Sequence, residues 1–71
     1  MSDKEFLIEA NIQDIIKYIM TDLGVSIKEA MRRFYMSEIF EKLQDTKTGL
    51  YLESPAYIYM NYTKMKRKTA D

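Results

Sequence analysis

The N-terminal part of the chain repeats apolar residues with the period of an α-helix. Between Glu5 and Leu23 they recur at steps of three and four, at Ile8, Ile12, Ile15, Ile16, Ile19, Met20 and Leu23. This spacing places them on one helix face. Ser2 or Asp3 can cap the start of the helix, and Gly24 stands where a left-handed residue commonly follows a helix end. We therefore predict a first helix over residues 5 to 23.

A capping box predicts a second helix directly after this glycine. Ser26 is the expected N-cap, Glu29 is expected to reach back to its backbone N–H, and Val25 and Ala30 can form a hydrophobic staple. The helix begins at Ile27. Its predicted core residues are Ile27, Ala30, Met31, Phe34 and Tyr35, and the residues expected to point largely outward are Lys28, Arg32 and Arg33.

Two further serines mark helix starts in the remaining chain. Ser37 can cap a short third helix, and the pattern leaves open whether it is separate from the second helix or continues it as one kinked rod. The apolar residues expected on one side of this helix are Ile39, Phe40 and Leu43. Residues 45 to 49 form a polar turn, and residues 50 to 52 are a candidate extended segment. Ser54 followed by Pro55 predicts a fourth helix from Pro55 to about Lys66. Its packed side would carry Ile58, Tyr59, Tyr62 and Met65, and residues 68 to 71 are expected to fray.

The pattern thus predicts one all-α domain over residues 1 to 71, a small bundle of three to four helices. A chain of 71 residues has room for one domain, and a domain of this size buries only roughly 60% of the surface that its unfolded chain exposes. The chain has no Cys and no His, which removes disulfides and the usual metal sites as reinforcement. Helix packing and association remain as sources of stability.

Charge and hydropathy bear on location and partners. No stretch approaches the roughly 18 consecutive apolar residues that span a bilayer, and the acidic start Met1–Glu5 lacks the basic region of a signal peptide. We therefore expect a cytoplasmic protein with no membrane partner. The eleven basic residues balance eleven acidic ones, but four cations lie close together at Lys64, Lys66, Arg67 and Lys68. Such a cluster can contact phosphate or simply complement the end of a helix.

Candidate catalytic groups are few. Without His or Cys there is no obvious base or thiol, and a helix-capping role accounts for all four serines, Ser2, Ser26, Ser37 and Ser54. Glu38 and Glu41 share a helix face as metal ligands sometimes do, but with Lys42 adjacent and no His nearby the pattern favours a solvated face. The sequence predicts no enzyme, no cofactor and no metal site.

The segment from Met20 to Ala30 resembles the junction of helix-turn-helix DNA-binding proteins, in which glycine occupies the turn between two helices. Met20 departs from that pattern, because it stands where a small residue is usual. The resemblance implies a DNA-binding regulator, which we keep as the alternative function. Its nucleic-acid contacts would be Lys28, Arg32, Arg33, Lys64, Lys66 and Arg67.

The C-terminal part is rich in tyrosine. The candidate protein interface is Tyr51, Tyr57, Tyr59, Met60 and Tyr62, since tyrosine and methionine are enriched where proteins meet. Two other interpretations stay open: stacking on single-stranded bases, or an ordinary core with its wet rim.

Two segments, Asp22–Ala30 and Thr48–Tyr59, resemble a widespread group of short helical bacterial proteins. In that group a first helix is followed by an "sxxEA" helix start, a short helical segment and a final helix. Some similar proteins are encoded beside toxin-like genes, so the resemblance implies an antitoxin-like or accessory role. We predict a non-catalytic protein-interaction module whose partner is another protein or a second copy of itself in a homo-oligomer. Nucleic acid is the less favoured partner.

Overall fold

The computed structural model describes residues 3–69, with side chains up to residue 65, as helices joined by short turns. The α-helices are α1 (Asp3–Leu23), α2 (Ile27–Tyr35), α3 (Glu38–Gln44) and α4 (Pro55–Thr69), and two 3₁₀ turns, Thr46–Thr48 and Leu50–Leu52, connect α3 to α4. No strand occurs within residues 3–69, so the predicted all-α bundle is confirmed. Ser2 and the end of the segment expected to fray, positions 70 and 71, lie outside the described residues. None of the helices in this range is long and apolar enough to cross a membrane.

The junction between α1 and α2 forms largely as predicted. Gly24 has φ 63°, and its N–H donates to the carbonyl oxygen of Met20 at 2.9 Å, which closes α1 in a left-handed C-terminal turn. Ser26 caps α2 by accepting from the backbone N–H of Glu29 at 3.2 Å. The capping box also predicts a hydrogen bond from the Ser26 backbone N–H to the Glu29 side chain. That prediction is wrong, because the carboxylate of Glu29 binds Arg32 and Arg33 instead.

Helices α2 and α3 are separate, which answers the question that the pattern left open. Ser37 has extended backbone angles and caps α3, since its Oγ accepts from the N–H of Phe40 at 3.3 Å. The same hydroxyl donates to the carbonyl oxygen of Phe34 at 2.6 Å. One serine side chain therefore ends α2 and begins α3.

The predicted extended segment at residues 50 to 52 is wrong. Leu50–Leu52 form a 3₁₀ turn that follows Gly49 at φ 70°, with the Glu53 N–H donating to the Leu50 carbonyl oxygen at 3.0 Å. The tight turn pairs these backbone groups locally, so no partner strand is needed. It also buries Tyr51, whose carbonyl oxygen accepts from Asn11 Nδ2 at 3.0 Å. This bond attaches the turn to α1.

The core lies where α1, α2, α3 and α4 meet. Its buried apolar residues are Ile12, Ile15, Ile16, Ile19, Ala30, Phe34, Ile39, Leu43, Tyr51, Ile58 and Tyr62. The predicted packed side of α4 is confirmed, because Tyr59 and Met65 also pack against this core. The predicted burial of Ile27 and Tyr35 is wrong: they are 58% and 42% exposed. Their helix α2 is apolar over a wider arc than its neighbours cover.

Candidate interaction surfaces

The first surface is the exposed part of the apolar face of α2, which we call the α2 stripe: Ile27, Met31 and Tyr35. Successive members are four residues apart, so they are neighbours along one side of the helix. Met31 is half-buried, while Ile27 and Tyr35 are exposed. The Tyr35 ring is also supported by Phe40, with ring centroids 4.8 Å apart in an edge-to-face arrangement. The stripe is therefore an apolar surface held in place by the core beside it.

The basic side of α2 is organised by Glu29. Its carboxylate accepts from Arg32 Nε at 3.0 Å and Nη2 at 2.6 Å, and from Arg33 Nε at 2.8 Å. These contacts, with the Arg32 hydrogen bonds as the largest cause, lower the pKa of Glu29 to about 2. Two of the predicted nucleic-acid contacts thus share one carboxylate. Among the others, Lys28 and Lys64 are exposed, and the side chains of Lys66 and Arg67 lie outside the described part of the chain.

The residues of the predicted tyrosine interface fall into two groups, one buried in the core and one exposed to solvent. Tyr51 and Tyr62 are only 9% and 6% exposed, and Tyr62 packs edge-to-face on Phe34 with centroids 6.0 Å apart. Tyr57 and Met60 are exposed, and their three-residue spacing makes them neighbours on the outer side of α4. Of the four, only Tyr57 and Met60 offer a substantial part of the side chain, slightly less than half, to a partner.

Tyr59, the remaining member, joins α4 to α1. Its hydroxyl donates to Asp22 Oδ2 at 2.6 Å, and its ring lies 5.4 Å from that of Tyr18. Burial, followed by the hydrogen bond and negative charge of Asp22, raises the pKa of Tyr59 well above its usual value. The residue is therefore engaged within the domain.

The second surface is a groove of about 420 Å³ between the α2–α3 corner and α4. We call it the α2–α4 groove; its lining includes Arg32, Arg33, Met36, Ile39, Tyr62 and Met65. Met36 is the most exposed of the large apolar side chains described, at 76%. Burial raises the pKa of Tyr62, and the positive charge of Arg33 opposes that rise. The groove thus has an apolar floor, and its charged lining consists of Arg32 and Arg33, which are both bound by Glu29, together with Glu38. Sequence reasoning missed the groove because its residues come from separate helices.

The third surface is the start of α1, residues 3–10, which we call the α1 overhang. None of its residues is buried, and the first buried residue of the helix is Asn11. Phe6 is 63% exposed and Leu7 39%. The sequence already indicated this surface, because Phe6 and Leu7 do not belong to the series of isoleucines that marks the core face.

The described residues contain no group of three or more acidic side chains placed to hold a metal ion. Ser26, Ser37 and Ser54 accept capping hydrogen bonds at the starts of α2, α3 and α4, as predicted. The candidate surfaces offer apolar burial, ion pairing and hydrogen bonding to a partner.

No protein-family model, curated protein or solved structure matches this chain. A functional assignment therefore depends on the three surfaces themselves.

Proposed function

We propose that the protein is a non-catalytic interaction module that works by burying the α2 stripe against another protein. The observation that carries this proposal is the exposure of Ile27 and Tyr35 on a helix whose sequence pattern calls for their burial. Removing apolar surface from water stabilises a complex by roughly 25 cal/mol per Å² before the costs of association. A partner would supply the cover that α1, α3 and α4 do not.

The surroundings of the stripe indicate what kind of partner surface fits. Helical spacing places Lys28 and Arg32 along its polar edge, and both are exposed. Interfaces commonly have an apolar centre with a polar rim, and tyrosine and methionine are frequent at the centre. The matching surface would be an apolar patch with acidic residues around it. Tyr57 and Met60 on α4 offer a second, smaller apolar contact.

A subunit role is also supported by the resemblance of two segments of the chain. The resemblance to short bacterial proteins encoded beside toxin-like genes supports an accessory or antitoxin-like subunit, because such a subunit acts by covering its partner. The capped helix junction at Gly24 and Ser26 also suits a helix-turn-helix regulator. DNA binding has less support, because Glu29 partly neutralises Arg32 and Arg33 where they would meet phosphate.

The proposal can be tested by comparing affinity purifications of tagged wild-type protein and two variants from its native host. Ile27→Ser removes apolar surface from the stripe, and Leu52→Ser removes a similarly exposed leucine, 67% exposed, elsewhere. We expect one partner protein to be retained by the wild type and by Leu52→Ser, and its recovery to fall at least about tenfold with Ile27→Ser, since central interface residues dominate affinity.

Equal recovery with Ile27→Ser would contradict the proposal. Fluorescence anisotropy with a labelled DNA duplex tests the alternative function. Binding that weakens steeply with salt, and disappears when Arg32→Ala and Arg33→Ala are combined, would support the regulator instead.

A further inference from the structure

Met36 combines high exposure with a cationic neighbour. Its side chain is 76% exposed, whereas Met60 is 44% exposed. The other methionines with described side chains are half-buried: Met20, Met31 and Met65. Met36 is the C-cap of α2, and its backbone N–H donates to the carbonyl oxygen of Arg32 at 3.2 Å. The helix end therefore fixes the backbone of this residue while most of its surface faces water.

The guanidinium group of Arg32, which lies beside the Met36 sulfur, is oriented by Glu29. Arg32 Nε and Nη2 donate to the two carboxylate oxygens of Glu29 at 3.0 Å and 2.6 Å, so the planar group is held along one edge. Its remaining nitrogen, Nη1, donates to Met36 Sδ at 3.6 Å. A thioether sulfur is a weak acceptor. This charged donor therefore has a poor partner as long as the sulfur is reduced.

The characteristic reaction of an exposed thioether is oxidation to the sulfoxide. A lone pair of the sulfur forms a bond to one oxygen of hydrogen peroxide while the O–O bond breaks. The proton on the transferred oxygen passes to the other oxygen, which leaves as water, so the sulfur loses two electrons and the peroxide gains them. The sulfur has two lone pairs. Arg32 engages one of them, and the exposure of Met36 leaves room for a peroxide at the other.

We propose that Met36 is a peroxide-sensitive modification site whose sulfoxide oxygen is held by Arg32. The sulfoxide oxygen is a stronger acceptor than the thioether that it replaces, and a charged donor strengthens the bond further. Met36 lines the α2–α4 groove, so oxidation adds a polar group to the apolar part of that lining. Methionine sulfoxide is reduced back to the thioether by dedicated enzymes, which makes such a change reversible. Met36 lies outside the α2 stripe, so this site goes beyond the proposed function and either can fail without the other.

Peptide mass spectrometry after timed exposure to dilute hydrogen peroxide tests the site. Among the methionines at positions 20 to 65, we expect Met36 to gain an oxygen atom first, and several-fold faster than Met65. The matched control is the same reaction in urea, where unfolding exposes both residues and should remove the difference between them. Oxidation of Met60 or Met65 before Met36 in the folded protein, or the same order of rates in urea, would overturn the site.

Melting temperatures before and after oxidation test the role of Arg32. A peroxide dose that modifies only Met36 should raise the melting temperature of the wild type by about 2 °C, because a charge-assisted hydrogen bond replaces a weak one. Arg32→Ala should abolish the rise, and Met36→Leu should not respond to the same dose. Arg33→Ala removes the other arginine bound to Glu29 and should retain the rise. No rise in the wild type, an equal rise in Arg32→Ala, or its loss in Arg33→Ala would overturn the sulfoxide contact.

Discussion

Glu29 is a carboxylate whose pKa is lowered strongly by its neighbours. It was expected to cap its own helix, but two arginines on the next turn of α2 provide stronger partners for a carboxylate than one backbone N–H does. The three side chains are 32%, 35% and 58% exposed for Glu29, Arg33 and Arg32. Water and salt therefore screen these ion pairs, and each contributes modestly.

The lowered pKa of Glu29 predicts a loss of stability in acid. The folded-state pKa is about 2 against an ordinary value of 4.5, so the unfolded chain binds the proton first as pH falls. The contribution of Glu29 is present above about pH 4.5 and is lost as pH falls towards about 2. Thermal melting followed by circular dichroism should show this loss in the wild type and a smaller one in Glu29→Gln.

Glu41→Gln is the control for general acid effects, since Glu41 is an exposed carboxylate on α3. Its melting temperature should follow the wild type through the same titration. If the melting temperature of Glu29→Gln also falls with pH as steeply as that of the wild type, the Glu29 carboxylate does not stabilise the fold through its arginines.

At the scale of elements, local features were predictable and distant ones were not. The caps at Ser26, Ser37 and Ser54 and the left-handed Gly24 depend on atoms within four residues, so the sequence pattern contains all the information they need. The conformation of residues 50 to 52 depends in part on Asn11, which lies 40 residues from Tyr51. Helical periodicity and capping residues do not indicate that Asn11 and Tyr51 will be hydrogen-bonded.

The same limit applies to the candidate surfaces. Helical periodicity shows correctly which side of α2 is apolar, but how much of that side is covered depends on where α1, α3 and α4 lie. Ile27 and Tyr35 were therefore predicted to be core and are exposed, whereas Tyr51 was a candidate for an interface and is buried. Tyr62 was predicted both on the packed side of α4 and at the interface, and it is buried. The groove was not predictable at all, since its lining comes from three helices.

The hydrogen bond between Asn11 and Tyr51 attaches the Leu50–Leu52 turn to α1, and its contribution to the free energy of unfolding can be predicted. Asn11 is 6% exposed and donates to the Tyr51 carbonyl oxygen. Asn11→Ala would leave that oxygen without its partner, at a cost of about 1 to 3 kcal/mol. Asn11→Asp should be worse at neutral pH, because a buried carboxylate would face a carbonyl oxygen, and it should recover partly in acid once the carboxyl group can donate.

Urea denaturation at about pH 7 and about pH 4 measures both effects as free energies of unfolding. Gln13→Ala, an exposed position on the same helix, should change the stability by less than about 0.5 kcal/mol. Equal stability of Asn11→Asp and Asn11→Ala at both pH values would show that the amide donor is not what holds the turn.

At the scale of the whole molecule, stability depends on a small core centred on Phe34. This side chain is fully buried and meets the rings of Phe40 and Tyr62 edge-to-face, with centroids 5.7 Å and 6.0 Å away. A single core in a domain of this size rarely supplies more than about 3 to 5 kcal/mol. One large cavity is therefore enough to unfold the chain.

The contrast between Phe34 and Ile27 separates what holds the monomer together from what is available to a partner. Phe34→Ala should cost about 3 to 5 kcal/mol and leave little folded protein, so Phe34→Leu serves as the measurable, milder core variant. Ile27→Ser should cost only about 1 kcal/mol, because more than half of the side chain already faces water. Free energies of unfolding from urea titrations of the wild type, Phe34→Leu and Ile27→Ser give the comparison. If Ile27→Ser destabilised the monomer as much as Phe34→Leu, Ile27 would be part of the core and the α2 stripe would lose its place as a binding surface.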